Sequence, residues 1–218
     1  EMLRSLVGSE MCIRDRDTIS NKAQTFNTDE ADQYLIHMIP IDNISLTSDG
    51  KTKANTKDND VYTQIKPLLI GDSVMVDIGE QFKTKVPKAK IDGKVGRQLY
   101  QAESLVNQQY KQYRKPTNQV ILELGTNGDF TKEQLDQLIG KFGKAQVYLV
   151  NTRVPRSYEN HVNTLMAEAA KDKKNVTLID WYSRSKGHTE YFAPDGIHLE
   201  NDGVEALTDE ILKSIKKK

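Results

Sequence analysis

From residue 61 onward the sequence predicts an α/β fold, a parallel sheet with helices packed on both faces. Three observations carry this expectation. Short apolar runs of strand length alternate with longer segments whose apolar residues recur at helical spacing. The first apolar run ends at Gly71 and passes directly into a helical pattern. The polar and glycine-rich motifs follow strands, where ligands bind at the carboxyl edge of a parallel sheet. At 218 residues the chain is long enough for one domain with a substantial core.

The elements follow in order. Residues 65–70 form an apolar run that reads as a buried strand. A helix is expected over 74–82 and a weak strand over 86–91. Residues 97–113 place Leu99, Ala102, Leu105 and Val106 on one helical face. Residues 119–124 read as a strand. Thr131, followed three residues later by Gln134, is a capping box that starts the next helix. A strand over 146–150 precedes a helix over 157–170, whose apolar face holds Val162, Leu165, Met166 and Ala169. A strand over 176–179 and a helix over 203–215 complete the series.

Composition narrows the function. Basic and acidic residues balance at 31 each, so nothing favours nucleic acid or an acidic partner. Cys12 is the only cysteine, which rules out an internal disulfide and a cysteine zinc cluster. No apolar run reaches the ~20 residues that span a bilayer. The longest, 34–41, is interrupted by His37 and Pro40 and reads as a possible added strand. Residues 1–60 are expected to be a leader and polar linker, partly disordered, ahead of a catalytic domain over 61–218. Residues 1–16 lack the pattern of a signal peptide and resemble a translated cloning or assembly leader. Residues 47–60 carry almost no apolar side chains.

Three short motifs hold the chemistry: Gly71-Asp72-Ser73, Gly125-Thr126-Asn127-Gly128 and Asp195-Gly196-Ile197-His198. A serine hydroxyl becomes a useful nucleophile when a base takes its proton. Ser73 is the candidate nucleophile and His198 the base, since imidazole titrates near neutral pH. Asp195, on a Pro-Asp-Gly turn three residues earlier, can fold back to the second ring nitrogen and fix its tautomer. Taken alone it reads as an ordinary turn residue. The oxyanion of the tetrahedral intermediate needs fixed donors. Candidates are the Ser73 backbone N–H at a helix start, the Gly96 N–H and the Asn127 amide. Taken alone, Asn127 reads as a structural residue between glycines. Asp72 could be the triad carboxylate, but a turn or helix-cap role fits better, because adjacent side chains point apart. The Gly-x-Ser-x-Gly elbow is absent, which argues against the common lipase architecture. Trp181 and Tyr191 could stack on sugar rings or pack in the core, and Trp181 favours the core. His37, His161 and His188 show no catalytic pattern. No zinc-ligand spacing and no phosphate loop occurs, so no metal and no cofactor are expected.

Gly71-Asp72-Ser73, Gly96, Asn127 and Asp195-x-x-His198 resemble the four blocks of SGNH (GDSL-type) hydrolases, over residues 66–215. The resemblance implies a flavodoxin-like three-layer α/β/α fold and a Ser-His-Asp triad. The longer stretches around residues 92–98, 123–128 and 191–199 look like the extracytoplasmic domain of Gram-positive peptidoglycan O-acetyltransferases of the O-acetyltransferase A type. That family implies transfer of an acetyl group to the C6 hydroxyl of N-acetylmuramoyl residues, a modification that hinders lysozyme. It implies a peptidoglycan acceptor, and an acetyl donor delivered by a membrane acyltransferase domain that this chain lacks. It also implies a cell-surface location tethered to the membrane, and weak esterase activity. A carbohydrate O-acetyl esterase would use the same residues. A non-catalytic cell-wall binding module is the third alternative.

Overall fold

Residues along each central strand alternate between two cores, one on each face of the sheet. The computed structural model describes residues 45–46, 52–53 and 61–216. The chain divides into two compact units, residues 1–54 and 55–218. In the first, Ser45–Leu46 pairs antiparallel with Thr52–Lys53. The strand expected over 34–41, with His37, and the leader with Cys12 lie outside the described residues.

The second unit holds a five-stranded parallel sheet. Its strands are β1 (Leu68–Gly71), β2 (Lys90–Gly93), β3 (Gln119–Glu123), β4 (Gln146–Val150) and β5 (Val176–Ile179), in the order β2-β1-β3-β4-β5. Leu68, Ile70, Val120, Leu122, Val147 and Leu149 face one core. Leu69, Ile121, Tyr148 and Val150 face the other. This period of two on a sheet covered on both faces explains why β1, β3 and β4 read as continuous apolar runs.

The helices are α1 (Ser73–Lys85), α2 (Leu99–Gln109), α3 (Lys132–Lys141), α4 (Glu159–Asp172), a short α5 (Trp181–Arg184) and α6 (Asn201–Lys216). Buried residues of α2, α3 and α4 join the first core, and those of α1 and α6 join the second. Three layers result, and the flavodoxin-like strand order is the one the resemblance implies. Each fully buried Leu or Ile contributes about 1.5–3 kcal/mol of burial.

Local chemistry sets the ends of the elements. Thr131 Oγ1 accepts the Gln134 N–H at 3.3 Å, while Gln134 Oε1 accepts the Thr131 N–H at 2.9 Å, so the expected capping box forms. Several boundaries differ from the sequence expectation. Val86 closes α1 through its N–H to Phe82 O, and Pro87 lacks the N–H a strand needs, so β2 starts at Lys90. The second helix begins at Leu99, because Arg97 turns inward instead of joining it. The turn α5, formed where Asp180 accepts the Ser183 N–H, and a 3-10 turn at Thr189–Tyr191 carry no helical periodicity and escape sequence reading.

Candidate active site

The last residues of β1, β2 and β3 lie level, with Gly71 opposite both Gly93 and Glu123. The loops bearing Ser73, Gly96 and Asn127 therefore leave the sheet side by side at its carboxyl edge. Gly71 is fixed by space. A Cβ there would lie 2.4 Å from the Met75 Cβ and 2.8 Å from the Glu123 carbonyl oxygen. Only glycine lets the chain turn from β1 into α1 this closely against β3.

Ser73 is the first residue of α1 and is buried to 5% exposure. The cap is Asp72, whose Oδ1 accepts the Val74 N–H at 3.1 Å. Asp72 Oδ2 accepts the Thr126 hydroxyl at 2.5 Å, and the Asn127 side-chain amide donates to Thr126 Oγ1 at 3.0 Å. The Thr126 carbonyl accepts the Tyr158 hydroxyl at 2.8 Å. Asp72 is therefore a cap and a brace for the Asn127 loop, and its oxygens are occupied away from His198. Beneath it, Glu123 Oε2 accepts the Asp72 N–H at 3.3 Å. Complete burial and the facing Asp72 charge push the Glu123 carboxyl well above its ordinary range.

Gly96 occupies a turn closed by the Arg97 N–H to the Lys94 carbonyl, with φ of 72°. The turn is anchored by Arg97, 4% exposed, which donates to the Gly71 carbonyl at 3.0 Å and to the Asp92 carboxylate at 2.6 Å. The Tyr110 hydroxyl donates to the other Asp92 oxygen at 2.6 Å. Burial raises the Asp92 pKa, but the Tyr110 and Arg97 hydrogen bonds outweigh it and hold the carboxylate below its usual value. Among the described residues, the Ser73 and Gly96 backbone N–H groups make no hydrogen bond. The loops that carry these two backbone donors and the Asn127 amide leave neighbouring strand ends, and one hydrogen of the amide is already given to Thr126.

Asp195 and His198 meet locally. Asp195 Oδ2 lies 2.5 Å from His198 Nδ1, while Oδ1 accepts the Ile197 N–H at 2.9 Å and the His198 N–H at 3.1 Å. Gly196, with φ of 70°, provides the left-handed residue this turn requires. The Asp195 hydrogen bond raises the His198 pKa, against a smaller opposing effect of burial; the charges of Asp195, Asp77 and Asp72 add to the rise. Reciprocally, that hydrogen bond holds Asp195 below its usual range, partly offset by burial. The Asp195 contact leaves Nε2 as the nitrogen available for proton transfer. His198 makes no hydrogen bond to Ser73 in this structure. The acid–base loop reaches α1 instead through Leu199, whose N–H donates to Asp77 Oδ2 at 3.0 Å.

Of the two readings open to Trp181 and Tyr191, the structure places both rings in the core. Their exposures are 2% and 8%, and their rings stack on each other at 5.9 Å within the second core. The outer face of Tyr191 is covered by His188 at 4.3 Å. Neither ring offers a free face to a sugar. His161 is bound to Asp129 at 2.7 Å, and His188 to Glu190 at 2.7 Å. Beside the Asp195–His198 turn lies a cavity of about 520 Å3, lined by Arg153, Pro155, His188, Phe192, Pro194 and Gly196.

Sequence reading misses Asp77, Thr126 and Arg97. Asp77 carried a signal, because four residues after Ser73 is one helical turn on the same face. Arg97 and Thr126 act across the sheet and left none.

No protein-family model matches the chain. The chain is 64% identical over 204 residues to a Staphylococcus aureus (strain COL) protein provisionally named O-acetyltransferase, covering 93% of this chain and 33% of that one. It is 57% identical over 163 residues to the O-acetyltransferase OatA of Staphylococcus aureus (strain NCTC 8325 / PS 47), covering 75% of this chain and 27% of that one. The chain thus spans a third or less of these relatives. Among solved structures, it resembles the C-terminal catalytic domain of Streptococcus pneumoniae peptidoglycan O-acetyltransferase A at TM-score 0.61 and 20% identity, over 70% of this chain and 93% of that one. It also resembles a lipase/acylhydrolase from Enterococcus faecalis at TM-score 0.57 and 19% identity, over 70% and 96%. The fold is shared with these acylhydrolases, and over the matched residues the chain is homologous to a segment of the staphylococcal O-acetyltransferases of the OatA type.

Proposed function

We propose that this chain is a serine-dependent O-acetyltransferase that moves acetyl groups onto the C6 hydroxyl of N-acetylmuramoyl residues in peptidoglycan. What supports the reading is the level ends of three neighbouring strands, from which the Ser73, Gly96 and Asn127 loops leave, together with a histidine bound to a carboxylate. The extensive identity to proteins named O-acetyltransferase supports transfer as the reaction.

The steps balance as a double displacement. His198 Nε2 takes the Ser73 hydroxyl proton as Oγ attacks the carbonyl carbon of an acetyl ester. The Ser73 N–H, the Gly96 N–H and the Asn127 amide hold the oxyanion. The donor C–O bond breaks, and its alcohol leaves with the proton from Nε2. The sugar C6 hydroxyl then gives its proton to Nε2, attacks acetyl-Ser73 and leaves as the acetyl ester, while Ser73 recovers the proton. Asp195 stays ionised throughout and stabilises the imidazolium. Transfer outruns hydrolysis when the acceptor is held better than water. Weak hydrolysis of small acetyl esters accompanies it. The reading extends to a cell-surface location, with the donor supplied by a membrane acyltransferase part of a longer protein. Among the described residues, no helix is long and apolar enough to cross a membrane.

The test is incubation with an acetyl-ester donor, with and without a muramoyl-containing glycan oligomer, followed by mass spectrometry of the glycan. A gain of one acetyl group that disappears in Ser73→Ala supports the transferase. Acetate release unaffected by glycan makes the chain a carbohydrate O-acetyl esterase. Glycan binding with neither reaction makes it a cell-wall binding module.

A further inference from the structure

We propose that Asp77 is a positioning residue of this site: its carboxylate ties the acid–base loop to the helix that begins at the nucleophile and sets the charge facing His198. The proposal rests on the serine acyl-transfer reading above. Asp77 lies one turn along α1 from Ser73, on the same face, and Cα–Cβ bonds tilt toward the helix N-terminus. The Asp77 carboxylate therefore leans toward the site. Its Oδ2 accepts the N–H of Leu199, the residue after His198, at 3.0 Å.

The other hydrogen bonds of the loop are local. Ala193 N–H donates to the His198 carbonyl, Gly196 N–H to the Ala193 carbonyl, and Asp195 accepts from Ile197 and His198. These bonds give the loop its shape, but none reaches α1. Among the described hydrogen bonds, Asp77 to Leu199 is the one that connects residues 192–199 to the nucleophile's helix. The Asp195 and His198 side chains are 45% and 46% exposed, so burial alone does not clamp them. The relative position of His198 and Ser73 therefore depends on this tether together with packing of Ile197 and Leu199 on the second core.

Charge gives Asp77 a second role. The charged groups facing His198 are Asp195 on its own loop, Asp77 on α1, and Asp72 at the α1 cap. Burial raises the pKa of Glu123 beneath Asp72. Asp77 thus adds a negative charge from a different element, favouring the imidazolium that forms when Ser73 is deprotonated. Burial raises the Asp77 pKa, while the Leu199 N–H and the His198 charge oppose that rise.

Two variants separate tether from charge. Asp77→Asn keeps an acceptor oxygen for Leu199 and removes the charge. Asp77→Ala removes both. The readouts are kcat and KM for p-nitrophenyl acetate across pH, together with NMR titration of the His198 ring and hydrogen exchange of the Leu199 amide. Asp77→Ala is expected to lose roughly 10- to 100-fold in kcat, the range for a misplaced catalytic group, with KM within about twofold. Its Leu199 amide should exchange faster. Asp77→Asn should keep kcat within about threefold of wild type, but its acid limb and His198 titration should move to lower pH. Leu199 exchange unchanged in Asp77→Ala, or a His198 titration unmoved in Asp77→Asn, would overturn the proposal. If Ser73→Ala stays active, the serine reading falls, while the NMR titration and exchange still judge the tether. If Ser73→Ala is inactive and Asp77→Ala keeps full kcat, the positioning role alone is refuted. Should Asp77→Ala fail to fold, the Asp77→Asn titration decides.

Discussion

Asp72→Ala separates structural bracing from catalysis at the nucleophile turn. Asp72 is fully buried, caps α1 through Val74 and accepts the Thr126 hydroxyl. Loss of the cap costs about 1 kcal/mol. The Thr126 hydroxyl loses a hydrogen bond to a charged acceptor, about 1.5–3 kcal/mol. Relief of the charge facing buried Glu123 returns part of this, about 1 kcal/mol. The net expectation is a loss of about 1.5–3 kcal/mol at pH 7. With a urea slope of about 2 kcal/mol/M, the unfolding midpoint falls by about 0.75–1.5 M. Asp72→Asn keeps the Val74 cap but presents an amide that cannot accept from Thr126, so it should lose about 1 kcal/mol. Residual activity in both variants should exceed that of Ser73→Ala, because Asp195 already partners His198. A midpoint shift under about 0.3 M in Asp72→Ala refutes the bracing argument. Unchanged stability with activity as low as Ser73→Ala would instead make Asp72 the catalytic carboxylate.

The remaining predictions concern charge and space. Glu123 has a folded-state pKa raised by burial, so its stabilising contribution is complete below the ordinary value of 4.5 and declines as pH rises toward the folded value. Glu123→Gln should therefore lack that decline, and its stability relative to wild type should grow from pH 4 to pH 7 in parallel urea titrations; a constant difference contradicts the raised Glu123 pKa. The raised His198 pKa places the acid limb of kcat/KM for acetyl-ester hydrolysis above pH 6.5, and Asp195→Asn, which removes its largest cause, should move that limb down while lowering kcat. Gly203→Ala puts a Cβ 2.1 Å from the Tyr191 carbonyl oxygen, so α6 or the 189–191 turn must shift. A loss of about 1–3 kcal/mol in urea unfolding is expected, and wild-type stability would refute the packing.

How much was legible depended on sequence separation. The alternation of strand and helix, the Thr131–Gln134 box and the Asp195–His198 turn involve residues close along the chain. Their geometry follows from local backbone rules, so sequence reading locates them. The boundaries of β2 and α2 were less legible, because Arg97 answers to carbonyls on β1 and β2 rather than to helical propensity.

Tertiary structure alone decided the rest. Asp72 meets Thr126 across 54 residues and Asp77 meets Leu199 across 122, pairings that no local pattern encodes. Trp181 and Tyr191 carried the composition of a sugar platform, yet their burial depends on α6 closing over them. By itself the sequence determined the parallel α/β class and pointed to the residue types of the proposed acyl transfer, since periodicity and turn chemistry are written locally. Which carboxylate braces the Ser73 turn and which one ties the His198 loop to α1 were decided by the tertiary structure, which brings residues far apart in sequence into contact.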